Sequence, residues 1–181
     1  MEPTTITLRG HDGWPLTCDR YEATDDPDGV LLLGHAMMCD RRTLDRPKGE
    51  GLASALAERF IVYNVDMRGH GDSGPTASEG GDWGYDDIVE DLAYLATVVT
   101  ERHPELHLGI VGHSLVAHAS LASVGVHPDA PVDAIVSLAG NVWLDELEPS
   151  RLLRIVKKLQ LRAFWNLTRI VGYFPARRLG M

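Results

Sequence analysis

Four short apolar runs, Val30–Leu33, Phe60–Val65, Leu106–Val111 and Ala134–Leu138, lack the polar alternation of a strand with one wet face. Strands of that composition sit in a sheet covered on both sides, which restricts the chain to a layered α/β arrangement. Between the runs the apolar spacing becomes helical. Leu52, Ala55 and Leu56 fall on one side of Gly51–Arg59; Ile88, Leu92, Leu95 and Val99 on one side of Asp86–Arg102; Leu115–Val126 is a third helical stretch. Strands alternating with helices predict parallel crossover units and an open sheet between two helical layers. The first residues differ, because Ile6 and Leu8 alternate with Thr5, Thr7 and Arg9. A turn at His11, Asp12 and Gly13 then lets Leu16–Tyr21 return, so the predicted sheet opens with an antiparallel hairpin.

At 181 residues, with 44% apolar and 24% charged residues, the composition is that of one globular domain. Two cysteines, Cys18 and Cys39, are too few for a disulfide scaffold and favour a reducing compartment. The start, MEPTTITLRG, has no signal-peptide pattern, and no apolar run is long enough to span a bilayer, so the simplest reading is a soluble cytoplasmic protein. The net charge of -9 is unevenly spread: after Pro149 there are eight Lys or Arg and no Asp or Glu, which leaves -17 on the preceding part. An acidic body argues against a nucleic-acid partner. The basic, apolar 151–174 segment could meet an acidic partner or a membrane surface, although that acidic body is the favoured counterpart.

Three polar segments follow directly on buried-type strands: GHAMMCD, DMRGHGDSG and GHSLVAHAS. In an open α/β sheet all three converge beyond the carboxyl ends of the strands, where ligands bind. The last lies in IVGHSLVAH, a G-x-S-x-G-like turn with Val116 at the second glycine position. A β-branched residue at a sharp strand-to-helix turn is expected to overpack it by about 1 to 3 kcal/mol.

With these segments in this order, the chain resembles the α/β-hydrolase fold superfamily, nearest to its capped lipase, esterase and serine-aminopeptidase-like branches. The resemblance covers residues 5 to 145 and rests mainly on VDMRGHGDSG followed by GHS. It implies a three-layer fold with a mostly parallel sheet and an antiparallel leading hairpin. It also implies a core over 1–145, holding strands one to six of the usual eight, and the start of a helical cap over 146–181. Ser114 would be the nucleophile, with the backbone N–H groups of Leu115 and Met37 as the oxyanion hole. His35, Asp66, Arg68, His70 and His113 would support the site. Ala36 stands where the family has glycine, and a positive φ there would strain it by about 1 kcal/mol.

In this family the acid and then the histidine base follow the serine. The only later histidines are His118, one turn into the following helix, and His127, roughly 20 Å away at its far end. Neither fits the base, and Asp145 is the candidate acid. The expectation is therefore an amino-terminal part of a longer serine hydrolase acting on a carboxylic ester or related acyl substrate, inactive alone. The Ser at the nucleophile position disfavours the dehalogenase and epoxide-hydrolase chemistries, which use Asp. No cofactor or metal is implied. The alternative is a non-catalytic binding protein that keeps the fold.

Overall fold

The continuous apolar runs form the interior of one six-stranded sheet. In the computed structural model, which describes residues 2–140 and 148–172, the strands are β1 (Thr4–Arg9), β2 (Pro15–Tyr21), β3 (Val30–Gly34), β4 (Ile61–Val65), β5 (Leu108–His113) and β6 (Ala134–Leu138). The helices are α1 (Leu52–Leu56), α2 (Tyr85–Arg102), α3 (Leu115–Val126) and α4 (Arg151–Val171). Strand order is β1-β2-β4-β3-β5-β6. The leading hairpin is antiparallel and β2 joins β4 antiparallel; all later pairs are parallel. The predicted fold class is thus the observed one.

Each face of the sheet packs against a separate apolar cluster. Tyr63 and Val65 of β4 point to the side where Ile88, Leu92, Leu95 and Val99 of α2 and Ala119 of α3 close the core. Val62 points the other way, toward Ala53 and Ala57 at α1. This alternation explains why β4 is buried at all five positions without any polar face.

Two elements depart from the sequence expectation. Helix α1 ends at Leu56 and not at Arg59, because the amides of Glu58 and Arg59 turn back to Ala55 and Leu56 in tighter three-residue bonds. Strand β6 has the composition of a central strand yet lies at an edge, with Val136 half exposed. Among the described residues no strand pairs with its outer side. No helix among them is long and apolar enough to cross a membrane.

The leading hairpin is tied to α2 through the fully buried Arg68, which lies just past β4. Its Nε donates to Asp91 Oδ2 at 2.7 Å and its Nη2 to Asp91 Oδ1 at 2.6 Å. The same guanidinium reaches both oxygens of Asp12 at 3.0 Å and lies over the Trp14 ring. The Arg68 hydrogen bonds hold the Asp12 carboxyl down at about 2. Two paired forks use the planar geometry that only arginine supplies. His11 also bonds Asp91, through Nδ1 and its backbone N–H.

Removing one member of such a buried pair strands the other charge. Arg68→Met should therefore lower unfolding stability by about 3 to 5 kcal/mol in urea titrations. A loss below about 1 kcal/mol would mean that the hairpin docks without this pair.

Candidate active site

Parallel register brings the ends of β3 and β5 side by side, with Gly34 opposite Gly112 and His113 opposite Leu138. The segments after these strands, His35 to Met38 and Ser114 to Leu115, are thereby neighbours although about eighty residues separate them in sequence. Ser114 occupies the one-residue turn between β5 and α3 with φ 49° and ψ -99°. That backbone is strained for a residue with a Cβ and costs of order 1 to 3 kcal/mol. Its N–H is held by Leu138 O at 2.9 Å and its carbonyl accepts from the His118 N–H at 3.2 Å. Its hydroxyl caps nothing. The side chain is half-buried at the amino end of α3, where unpaired backbone N–H groups favour negative charge.

The turn accommodates Val116, contrary to the overpacking expected from the sequence. Val116 is fully buried, and its two methyls lie over Gly34 at the end of β3. A Cβ on Gly34 would stand 2.7 Å from Val116 Cγ2 and closer still to Cγ1. A Cβ on Gly112 would meet the α3 backbone, 2.6 Å from the Val116 carbonyl carbon. Two glycines on adjacent strands thus supply the room that the missing glycine of G-x-S-x-G would have given. No sequence pattern links Gly34 to Val116, so this partner was not foreseeable.

The His35–Met38 segment is fixed by the buried His35. Its Nε2 accepts from the Met67 N–H at 3.0 Å, which requires the proton on Nδ1, where it donates to Ala36 O at 2.8 Å. The Cys39 N–H closes the turn onto Ala36 O. Ala36 does not take positive φ, so the strain expected there is absent; it falls on Met38, at φ 63°. Met37 and Met38 expose about half of their side chains, 54% and 52%.

The DMRGHGDSG loop is a set of ties. Asp66, fully buried, accepts from the Arg41 N–H at 2.6 Å, the Asp72 N–H at 2.8 Å and the Arg41 guanidinium. Gly71, at φ 52°, lies so close to that carboxylate that a Cβ would overlap it. Ser73 donates to Asp66 O and accepts from the Thr17 N–H, which joins the loop to β2. His70 donates from Nδ1 to Arg68 O, and its ring lies 5.0 Å from that of His35 and 5.3 Å from that of Trp83. Burial pushes both imidazoles below the usual histidine range, and for His35 the neighbouring His70 adds to this. Arg41 and Asp91, which complete these ties, carry no motif of their own and could not be picked out from the sequence.

Among the described residues no hydrogen bond joins a histidine to the Ser114 hydroxyl. His118 sits one turn into α3, and His127 caps its far end with Nε2 2.9 Å from Glu90 Oε1. His113, the last residue of β5, is half-buried. Asp145 lies outside the described residues. One His-and-carboxylate group, His11, Asp12 and Asp91, has metal-like spacing, but the Arg68 guanidinium already lies between its carboxylates.

The family model described as serine aminopeptidase, S33, matches residues 47–173. A monoacylglycerol lipase of Mycolicibacterium smegmatis is 29% identical over 114 residues, 60% of this chain and 37% of the lipase. A thermostable carboxyl esterase from Bacillus coagulans, solved in complex with glycerol, superposes with a TM-score of 0.62 at 22% identity, over 91% of this chain and 52% of the esterase. An α/β hydrolase from Novosphingobium aromaticivorans gives 0.58 at 22% identity, over 85% of this chain and 49% of its own. The chain therefore spans little more than a third of the lipase and about half of these solved relatives.

The fit of Val116 over Gly34 predicts coupling between the two positions. Gly34→Ala alone should cost about 1 to 3 kcal/mol by overpacking, and Val116→Ala alone a similar amount by leaving a void. In the double variant the losses should be less than additive; strict additivity in urea unfolding would deny the contact. The two buried imidazoles give a pH dependence of known sign. Their folded pKa is lowered, so their contribution is complete above the ordinary histidine value of about 6.5 and is lost as pH falls below it. Unfolding free energy should drop from about pH 7 to about pH 5, and less steeply in His70→Gln.

Proposed function

Since the chain belongs to the serine aminopeptidase, S33 family of hydrolases, we propose that the whole protein cleaves a carboxylic ester or related acyl bond with Ser114 as nucleophile. The observation that supports this most is the backbone of Ser114, held at φ 49° by a residue with a Cβ. A merely structural turn there is less strained with glycine, whereas a hydroxyl held at the sheet edge on a strand-to-helix turn serves acyl transfer. The esterase and lipase character of the relatives supports the same substrate class.

In this mechanism Ser114 Oγ attacks the acyl carbon while its proton passes to a general base. The carbonyl electron pair moves onto oxygen, where the N–H groups of Leu115 and Met37 stabilise the oxyanion. Collapse expels the leaving alkoxide, which takes the proton from the base; water then repeats the sequence on the acyl-serine. His35, Asp66, Arg68, His70 and His113 position this edge without touching substrate. The exposed Met37 and Met38 suit an apolar acyl group. The two free thiols, Cys18 and Cys39, accord with a reducing compartment.

The base is assigned to none of the histidines present, because none bonds the serine and His127 is engaged with Glu90. We take 1–145 as hydrolase core and 146–181 as the beginning of a cap, with the base contributed by sequence that the longer relatives have and Asp145 kept as the candidate acid. On this reading the present chain acylates slowly or not at all.

A fluorophosphonate probe should label a version extended to the relatives' length, and Ser114→Ala should abolish that labelling. Labelling of the present chain should be slower by at least about a hundredfold, the scale of losing a general base. Equal rates would place the base within these residues. Absence of Ser114-dependent labelling in the extended protein would favour a non-catalytic binding protein.

A further inference from the structure

Away from the serine, an open groove of about 420 Å³ is lined by Ile6 and Thr7 of β1, Arg20 of β2, Tyr63 of β4, and Arg102 and His103 at the end of α2. Arg20 stands opposite Tyr63, which aligns through Leu32 with Ile110. Ile110 precedes Ser114 by four residues, so the groove lies about 13 Å back along the strands from the candidate nucleophile. Cations dominate its wall. Arg102 is exposed in the last turn of α2 and pairs with no carboxylate among the described residues. The Arg20 guanidinium lies over the Tyr63 ring, 5.6 Å from its centroid, and its two Nη groups donate to Glu22 at 2.9 and 3.1 Å. Its Nε is enclosed and has no hydrogen-bond partner. A buried donor without an acceptor is uncommon, and this guanidinium keeps capacity for a second anion. The Tyr63 hydroxyl lies 2.9 Å from His103 Nε2.

We propose that this groove binds a small dianion of the phosphate or sulfate type between Arg20, Arg102 and the His103 imidazole. Guanidinium groups from two separate elements match a tetrahedral oxyanion in charge and in donor geometry. The same wall disfavours other occupants. A cation would face two arginines against one carboxylate, and an apolar ligand would strip water from both charges without replacing it. Without the anion, burial and then the Arg20 charge push the His103 imidazole below the usual histidine range; Arg102 adds to this, and Glu22 opposes it. These two arginines and Glu22, with the Tyr63 hydroxyl, are the groups that act on the ring. A bound dianion supplies the counter-charge that the ring lacks, so binding takes up a proton and tightens as pH falls. The groove uses no part of the Ser114 edge, so anion binding and serine labelling succeed or fail separately.

The test is an NMR titration of the full chain with sodium sulfate, read at the histidine rings, with ionic strength held constant by sodium chloride. Sulfate keeps its charge over the pH range used, so any pH dependence belongs to the protein. Saturating sulfate should raise the His103 pKa by at least about half a unit, and affinity should be at least about twofold tighter at about pH 5.5 than at about pH 8. Arg102→Gln should weaken binding at least about fivefold. Arg42→Gln removes the same charge beside the loop after β4 and should leave binding unchanged. His103→Gln should keep binding but lose its pH dependence. Inorganic phosphate and phenyl phosphate then separate the sources: a tighter phenyl phosphate assigns an ester with its body along Ile6, and equal affinity assigns the free ion. No saturable shift at His103, equal weakening by Arg42→Gln and Arg102→Gln, or a pH dependence that survives His103→Gln would each overturn the proposal.

Discussion

The close approach of α3 to the ends of β3 and β5 is the contact on which the candidate site depends. Helix α3 begins one residue after β5, which forces Ser114 to positive φ and puts Val116 directly over Gly34. Without side chains on Gly34 and Gly112 the helix would have to withdraw. Withdrawal would relax the serine backbone and separate its hydroxyl from the segment after β3. The strain at Ser114 and the packing of Val116 are therefore two aspects of one constraint: burial of α3 against the sheet offsets the cost of the turn.

Around that contact, charge is used in two different ways. Within the body, Arg68 and Arg41 are almost enclosed and each pairs with two or more carboxylates, so each ties one loop in place. Two imidazoles, His35 and His70, lie ring to ring beside this network, where burial holds both below the usual histidine range although the Asp66 carboxylate pulls the other way; His35 uses both nitrogens on backbone groups. On α4 the cations lie beside an exposed apolar stripe, and Lys157 pairs with Glu148 just before the helix.

The sheet was legible because continuous apolar runs leave a central strand few alternatives, and β3, β4 and β5 appear where those runs are. The same rule finds β6 at Ala134–Leu138, although a run with two apolar faces says nothing about whether a neighbour lies on its outer side. The serine turn was legible from Gly112 and Ser114, whose roles are local. Its tolerance of Val116 was not, because Gly34 is far away in sequence and meets it only after two strands pair. Arg68 was visible as a motif residue while its main partner, Asp91, was one acidic residue among many on α2. Local backbone demands leave a trace in sequence, whereas complementarity across the fold does not.

Packing keeps Ser114 in a conformation that a Cβ resists. Comparing urea unfolding of Ser114→Gly with Ser114→Ala tests this most directly, because the two differ only in that Cβ. Glycine should be the more stable by about 1 kcal/mol or more, against its usual disadvantage in the unfolded chain. An alanine variant as stable as the glycine variant, or more so, would show that the turn is unstrained and would remove the basis for reading this serine as a nucleophile.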